Sequence, residues 1–150
     1  MPEPQIESFR VTMMLADSAQ AIGGKLYVLG AGWNVATLNA PGAIAGIITI
    51  PWNETNKQHH LLLTLVNADG TPVTVPTPNG SQPLAINVQF EVGRPPGVRP
   101  GSSTNSPIAI GHAPLPLLAG ERYEWRWTID GESRDDWQLS FDVVAAPQQG

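Results

Sequence analysis

From Gly120 to Val144 the chain reads GERYEWRWTIDGESRDDWQLSFDVV, repeating a two-residue rhythm twice. Tyr123, Trp125, Trp127 and Ile129 alternate with Glu124, Arg126 and Thr128, and Trp137, Leu139, Phe141 and Val143 alternate with Gln138, Ser140 and Asp142. Successive side chains of a strand point to opposite faces, so each run has one apolar face and one polar face. Asp130 and Gly131 begin the connection, where a small residue accepts the positive φ of a tight reversal. The stretch reads as an antiparallel hairpin with both apolar rows on one face. Burying each large apolar side chain contributes about 2 kcal/mol, less in sum than the entropy lost in ordering the whole ribbon. A second apolar surface is required, and the rest of the chain has to supply it.

Taken in order, residues 1–8 are a proline- and glutamate-containing lead-in, and Phe9, Val11, Met13 and Leu15 alternate with Arg10, Thr12 and Met14 as a first strand. Ala16 to Lys25 reads as a turn, because Asp17 and Ser18 can bond their own backbone and Gly23 and Gly24 permit positive φ. Leu26 to Trp33 is a second strand interrupted by Gly30 and Gly32, a pattern expected of a bulge or a close approach. Asn34 to Gly42 is a connection. Ile44 to Ile50 is a nearly continuous apolar run of β-branched composition, expected to be buried on much of both faces. His59 to Asn67, Thr71 to Val75 and Leu84 to Val92 supply further strands, the second of them closed by Pro76 and Pro78. Residues 93–107 carry four prolines and three glycines and read as a long loop, of the kind that is functional or mobile. Ile108 to Gly111 is a short strand, and His112 to Ala119 is extended because Pro114 and Pro116 remove ladder donors. Residues 145–150 are a polar tail. The sum is a single domain over 1–150 with eight or nine strands and no helix. The fold class expected is all-β, with two packed antiparallel sheets fitting the run of hairpins and longer crossovers better than the alternative of a closed barrel.

Composition narrows the function classes. Charged residues are 14% of the chain, Gly and Pro contribute 15 each, and the formal charge is −5 with only eight Lys and Arg. A nucleic-acid backbone or an anionic membrane needs clustered cations, so neither is expected as a partner. No cysteine is present, which removes disulfides, thiolate metal sites and a cysteine nucleophile. The apolar run Val11 to Ala16 is too short for a signal-peptide core or a membrane span, so a cytoplasmic address, or export by a route without a cleaved signal, is the default expectation.

Two stretches carry a resemblance. LADSAQAIGGKLYVLGAGWN, Leu15 to Asn34, and LLAGERYEWRWTIDGESRDDWQLSFDVV, Leu117 to Val144, resemble the opening and the ending of an uncharacterised bacterial, largely actinobacterial, family of small all-β proteins, a domain of unknown function. The resemblance implies an immunoglobulin-like β-sandwich and no activity. Tyr123 is similar in placement to the tyrosine corner of such sandwiches.

The residues capable of chemistry do not assemble into a known motif. Gly30-Ala31-Gly32 lacks the third glycine and the following helix that a pyrophosphate site needs. His59 and His60 are adjacent on a strand and point to opposite faces, so they do not chelate one ion, and His112 is remote in sequence. Asp130, Glu132, Asp135 and Asp136 lack the alternating spacing of a calcium loop. No serine sits in a nucleophile elbow. No enzyme, metal or cofactor is expected. Of the five tryptophans, Trp125, Trp127 and Trp137 fall on the core face of the hairpin. Trp33 follows the glycine pair, and Trp52 stands in a polar loop.

The leading expectation is a non-enzymatic interaction or assembly module, a rigid sandwich presenting loops or a sheet edge to a protein partner or to its own copies. Trp52, Trp33, His59, His60, Arg94, Arg99 and His112 are its candidate surface. The alternative is a small-ligand or carbohydrate-binding domain using loop aromatics such as Trp52.

Overall fold

The computed structural model describes residues 8–146; the lead-in 1–7 and the tail 147–150 lie outside them. Eleven strands follow in order: β1 (Arg10–Ile22), β2 (Lys25–Ala31), β3 (Val35–Thr37), β4 (Gly42–Ile50), β5 (His59–Asn67), β6 (Thr74–Thr77), β7 (Gly80–Pro83), β8 (Ala85–Phe90), β9 (Thr104–His112), β10 (Arg122–Ile129) and β11 (Gln138–Val144). Among the described residues the helical content is one 3-10 turn, Trp52–Glu54. The fold is all-β. One sheet runs β2-β1-β4-β9, a second runs β3-β11-β10-β5-β8, and β6-β7 is a separate ribbon.

The C-terminal hairpin has the register its alternation predicts: Tyr123 faces Phe141 and Trp125 faces Leu139. Asp130 and Gly131 take φ of 51° and 83°, and Ile129 and Glu132 exchange backbone bonds of 2.9 and 3.0 Å around them. That is the doubly positive two-residue turn whose twist suits a hairpin. Of the eight apolar side chains, seven are buried and Leu139 is half-buried. On its other side β10 pairs with β5, setting Trp127 opposite Leu63 and Trp125 opposite Leu65.

The surface that receives this face comes from β4 and β1. Ile44, Ile48 and Ile50 of β4 and Leu15 of β1 join the hairpin residues in one apolar cluster. The approach is closest at Gly46, where an added Cβ would lie 2.7 Å from Trp127 Cη2 and 2.8 Å from the Thr12 carbonyl oxygen. A side chain at 46 and an indole at 127 exclude each other, so the glycine is what lets the two sheets close. β4 is flanked by β1 and β9, and this central position explains its nearly continuous burial.

Several expectations are corrected. Ala16 to Ile22 is strand rather than turn: β1 passes straight on, pairing with β2 until Gly23 and Gly24 reverse the chain. Ala16 is still fully buried, but Asp17, Ser18 and Gln20 beyond it are exposed and show no apolar pattern because pairing with β2, not a core face, holds them. The connection after Trp33 contains β3, which runs parallel to β11 with Asp142 opposite Val35, so that sheet is mixed rather than strictly antiparallel. Three residues are too few to display a period. β6 continues through Pro76 to Thr77, where its short ribbon reverses at Pro78 and Asn79. β9 begins at Thr104, taking the last residues of the predicted 93–107 loop, because Pro107 sits on an edge strand where its missing donor faces no neighbour.

Tyr123 is the second residue of β10, and its hydroxyl accepts the Leu118 backbone N–H at 2.9 Å. This bond ties the extended 113–118 segment to the hairpin. Tyr123→Phe is expected to lower stability by about 1 kcal/mol in urea unfolding while leaving the near-ultraviolet circular dichroism of the tryptophans intact.

Candidate functional site

The seven predicted surface residues do not form one patch. They fall at opposite ends of β4, roughly 25 Å apart at the rise of a strand, with Arg99 exposed in the loop before β9.

At the Ile50 end the 3-10 turn carries Trp52, which is half-buried. The Arg94 guanidinium stacks 3.5 Å from the centre of its ring. Arg94 Nη2 also donates to the Trp52 carbonyl at 2.9 Å, and its Nε to Thr55 Oγ1 at 2.7 Å. The Thr55 hydroxyl in turn donates to the Trp52 carbonyl at 2.6 Å. Arg94 is thereby a clamp on the turn, committed to it through stacking and two hydrogen bonds.

His59 lies beside this turn and is only 4% exposed. Its Nδ1 is 2.6 Å from Asp130 Oδ2 and its Nε2 2.7 Å from the Glu54 carbonyl oxygen. Both partners are acceptors, so both ring nitrogens must carry hydrogen, and the ring is an imidazolium. Desolvation is the largest single influence on His59 and lowers its pKa. The Glu54 carbonyl and the Asp130 carboxylate together outweigh it, and the pKa stands above the ordinary 6.5. Asp130 moves the other way: desolvation, again the largest influence, would raise it, while the His60 backbone N–H and the His59 ring hold it below 3.8. Phe9 and Phe90 pack on the His59 ring at 5.0 and 5.3 Å. His60 faces outward, its Nε2 2.8 Å from Asn87 Oδ1. The sequence marked Asp130 as a turn residue within an acidic hairpin tip; nothing local links it to His59, 71 positions away.

At the Gly42 end Trp33 and His112 come together at a cleft of about 300 Å³. Trp33, Trp125 and Phe141 give it aromatic walls, and Leu15, Leu115 and Leu117 close its sides. Asp17, Asn39 and His112 are polar groups at its margin. His112 Nδ1 donates to the Ala113 carbonyl at 2.9 Å, the tautomer in which Nε2 is the acceptor. The Trp33 Nε1 is buried and has no hydrogen-bond partner among the described residues. The cleft was not legible in the sequence. Its walls come from five separated segments, and of its residues only Trp33 and His112 were marked beforehand as candidate surface.

Above this end the β1–β2 hairpin leaves the body. β1 pairs with β4 only as far as Ala16 and with β2 from Ala16 to Ile22, so the ribbon from 17 to 30 has no third strand. Ser18 faces Leu29 and Gln20 faces Tyr27 on one side, while Ala19 faces Val28 and Ala21 faces Leu26 on the other. Leu29 is 72% exposed, Ile22 57% and Tyr27 54%. Gly30, with φ of 61°, lies directly under the Asp17 carboxylate, which occupies the space a Cβ would need. The root of the arm is fixed there.

Among the described residues no three of His, Cys, Asp and Glu converge as metal ligands, and no helix is long and apolar enough to cross a membrane. What fold and site define together is an all-β domain with an apolar cleft at one end and a projecting ribbon beside it. The chain belongs to a family of unknown function, DUF6941, whose model matches residues 11–142. A search of curated proteins found no match.

Proposed function

We propose that this protein is a non-enzymatic assembly module that associates with its own copies through the β1–β2 arm. The observation that carries the reading is the exposure of Ile22, Tyr27 and Leu29 on a two-stranded ribbon without cover. A hairpin of two strands is marginal in water on its own. Edge strands are usually guarded by charge, proline or cover; β2, reading KLYVLGA, has a single lysine at its tip and no proline. Pairing of β2 with β2 of a second copy about a two-fold axis would satisfy its free backbone groups and cover both apolar rows.

On this reading the body is an immunoglobulin-like sandwich acting as the scaffold. The pairing of β4 with β9 and the order β11-β10-β5-β8 correspond to the B–E and G–F–C–C′ arrangements of that fold, and the Tyr123 hydroxyl bond to Leu118 supports it. The carbohydrate reading of Trp52 has less support, because Arg94 already occupies one face of the ring.

The test is sedimentation velocity over a concentration series, comparing the natural chain with Tyr27→Lys combined with Leu29→Lys. Self-association is expected for the natural chain, weakened about tenfold or more when like charges meet across the axis. A natural chain that stays monomeric, or a variant that associates equally well, would overturn the reading.

A further inference from the structure

We infer that the cleft at the Gly42 end is a binding site for a small, uncharged, ring-bearing molecule that donates a hydrogen bond, such as an aryl alcohol. Its volume of about 300 Å³ is at the lower end of the range for small-molecule sites, about 300 to 1,000 Å³, which suits one or two rings. The Trp33, Trp125 and Phe141 walls supply the flat apolar contact that a ring prefers.

The polar margin selects the rest of the ligand. His112 Nδ1 is committed to the Ala113 carbonyl, so Nε2 offers a lone pair. Asp17 adds a carboxylate, also an acceptor, and neither lysine nor arginine lines the cleft. His112 Nε2 and the Asp17 carboxylate accept, Asn39 both donates and accepts, and the buried Trp33 Nε1–H has no partner among the described residues, while no cation lines the cleft. This favours a ligand with a hydroxyl, which can donate and accept, and disfavours an anion, whose charge would meet no opposite charge in an apolar setting. The His112 ring is held in place between Trp125, 6.2 Å away centre to centre, and Gly42, where a Cβ would come 3.1 Å from Nε2. Its position is therefore set before any ligand arrives, which reduces the ordering cost of binding.

This inference is independent of the arm. It is tested on the Tyr27→Lys, Leu29→Lys chain as well as on the natural one, so that failure of self-association and failure of ligand binding are read separately. The probes are 4-ethylphenol, ethylbenzene and 4-ethylbenzoate, followed by calorimetry and by chemical shifts of the Trp33 indole N–H and the amides of residues 36–40. The expected order of affinity is the phenol first, ethylbenzene about tenfold weaker for want of one hydrogen bond, and the benzoate weakest. Ala40→Trp, at an exposed position on the cleft lining, is expected to abolish binding without altering the fold. His112→Phe is expected to erase the preference for the phenol while ethylbenzene still binds. Absence of shifts at the cleft with all three probes, tightest binding by the benzoate, or unchanged binding in Ala40→Trp would each overturn the assignment.

Discussion

Trp127→Ala is expected to cost about 3–5 kcal/mol, a large share of the roughly 5–15 kcal/mol that holds a domain together. Trp127 is fully buried on β10, and its ring lies against Gly46 of the facing sheet. Its loss would remove one of the two largest fully buried side chains and leave a cavity against the Gly46 and Thr12 backbone, which cannot collapse to fill it. Gly46→Ala is the complementary experiment. Its methyl would sit 2.7 Å from the indole and 2.8 Å from the Thr12 carbonyl oxygen, an overpacking expected to cost about 1–3 kcal/mol. The two changes are coupled through one contact. In a Trp127→Phe background the smaller ring releases part of the Gly46→Ala strain, so the double variant should be less destabilised than the two singles summed. Trp127→Phe by itself should cost less than its volume suggests, because the Trp127 Nε1 it removes has no partner among the described residues. Equilibrium urea unfolding of the natural chain and the four variants measures all of this, and strict additivity would show that the contact does not limit sheet closure.

Asp130→Ala is the second large effect expected, about 1.5–3 kcal/mol at neutral or mildly acidic pH. It removes the carboxylate that receives both the His59 ring at 2.6 Å and the His60 backbone N–H at 2.9 Å. The pH dependence has a definite sign. His59 has its pKa raised above 6.5 by the Glu54 carbonyl and Asp130 against an opposing desolvation. Its contribution is therefore complete below 6.5 and is lost as pH rises through the folded value. Asp130, held below 3.8, contributes above that value, and its share is lost as pH falls through its lower folded one. The pair gives a plateau between these limits and a decline on the alkaline side. His59→Leu should flatten the alkaline decline, since the group that loses its proton is gone. Proton NMR titration of the His59 ring locates the transition directly. A ring titrating below the ordinary histidine range would contradict the imidazolium assigned from its two acceptors.

How far the sequence could be read depended on whether the deciding force was local. The period of two in Tyr123 to Ile129 and Trp137 to Val143 was sufficient for strand, face and register, because alternation is a property of the single chain. Asp130 and Gly131 specified their turn for the same reason. Ile44 to Ile50 announced its burial through composition alone. The Ala16 to Ile22 segment was misread because its strand depends on a partner, β2, and not on a buried face of its own. β3 and the first part of β9 were missed because a short or proline-bearing strand is created by the neighbour it pairs with.

The site divides in the same way. The sequence by itself established an all-β chain with an aromatic-rich hairpin as its core, and it picked out Trp33, Trp52, His59 and His112 as residues of interest. Only the tertiary structure decided what each of them does. It clamped Trp52 under Arg94, locked His59 between Asp130 and Glu54, and opened a cleft between Trp33 and His112. Those outcomes rest on contacts between segments far apart in the chain, and a contact of that kind leaves no periodic trace in either segment. The exposed β1–β2 arm belongs with them, since exposure depends on what the remainder of the fold fails to cover.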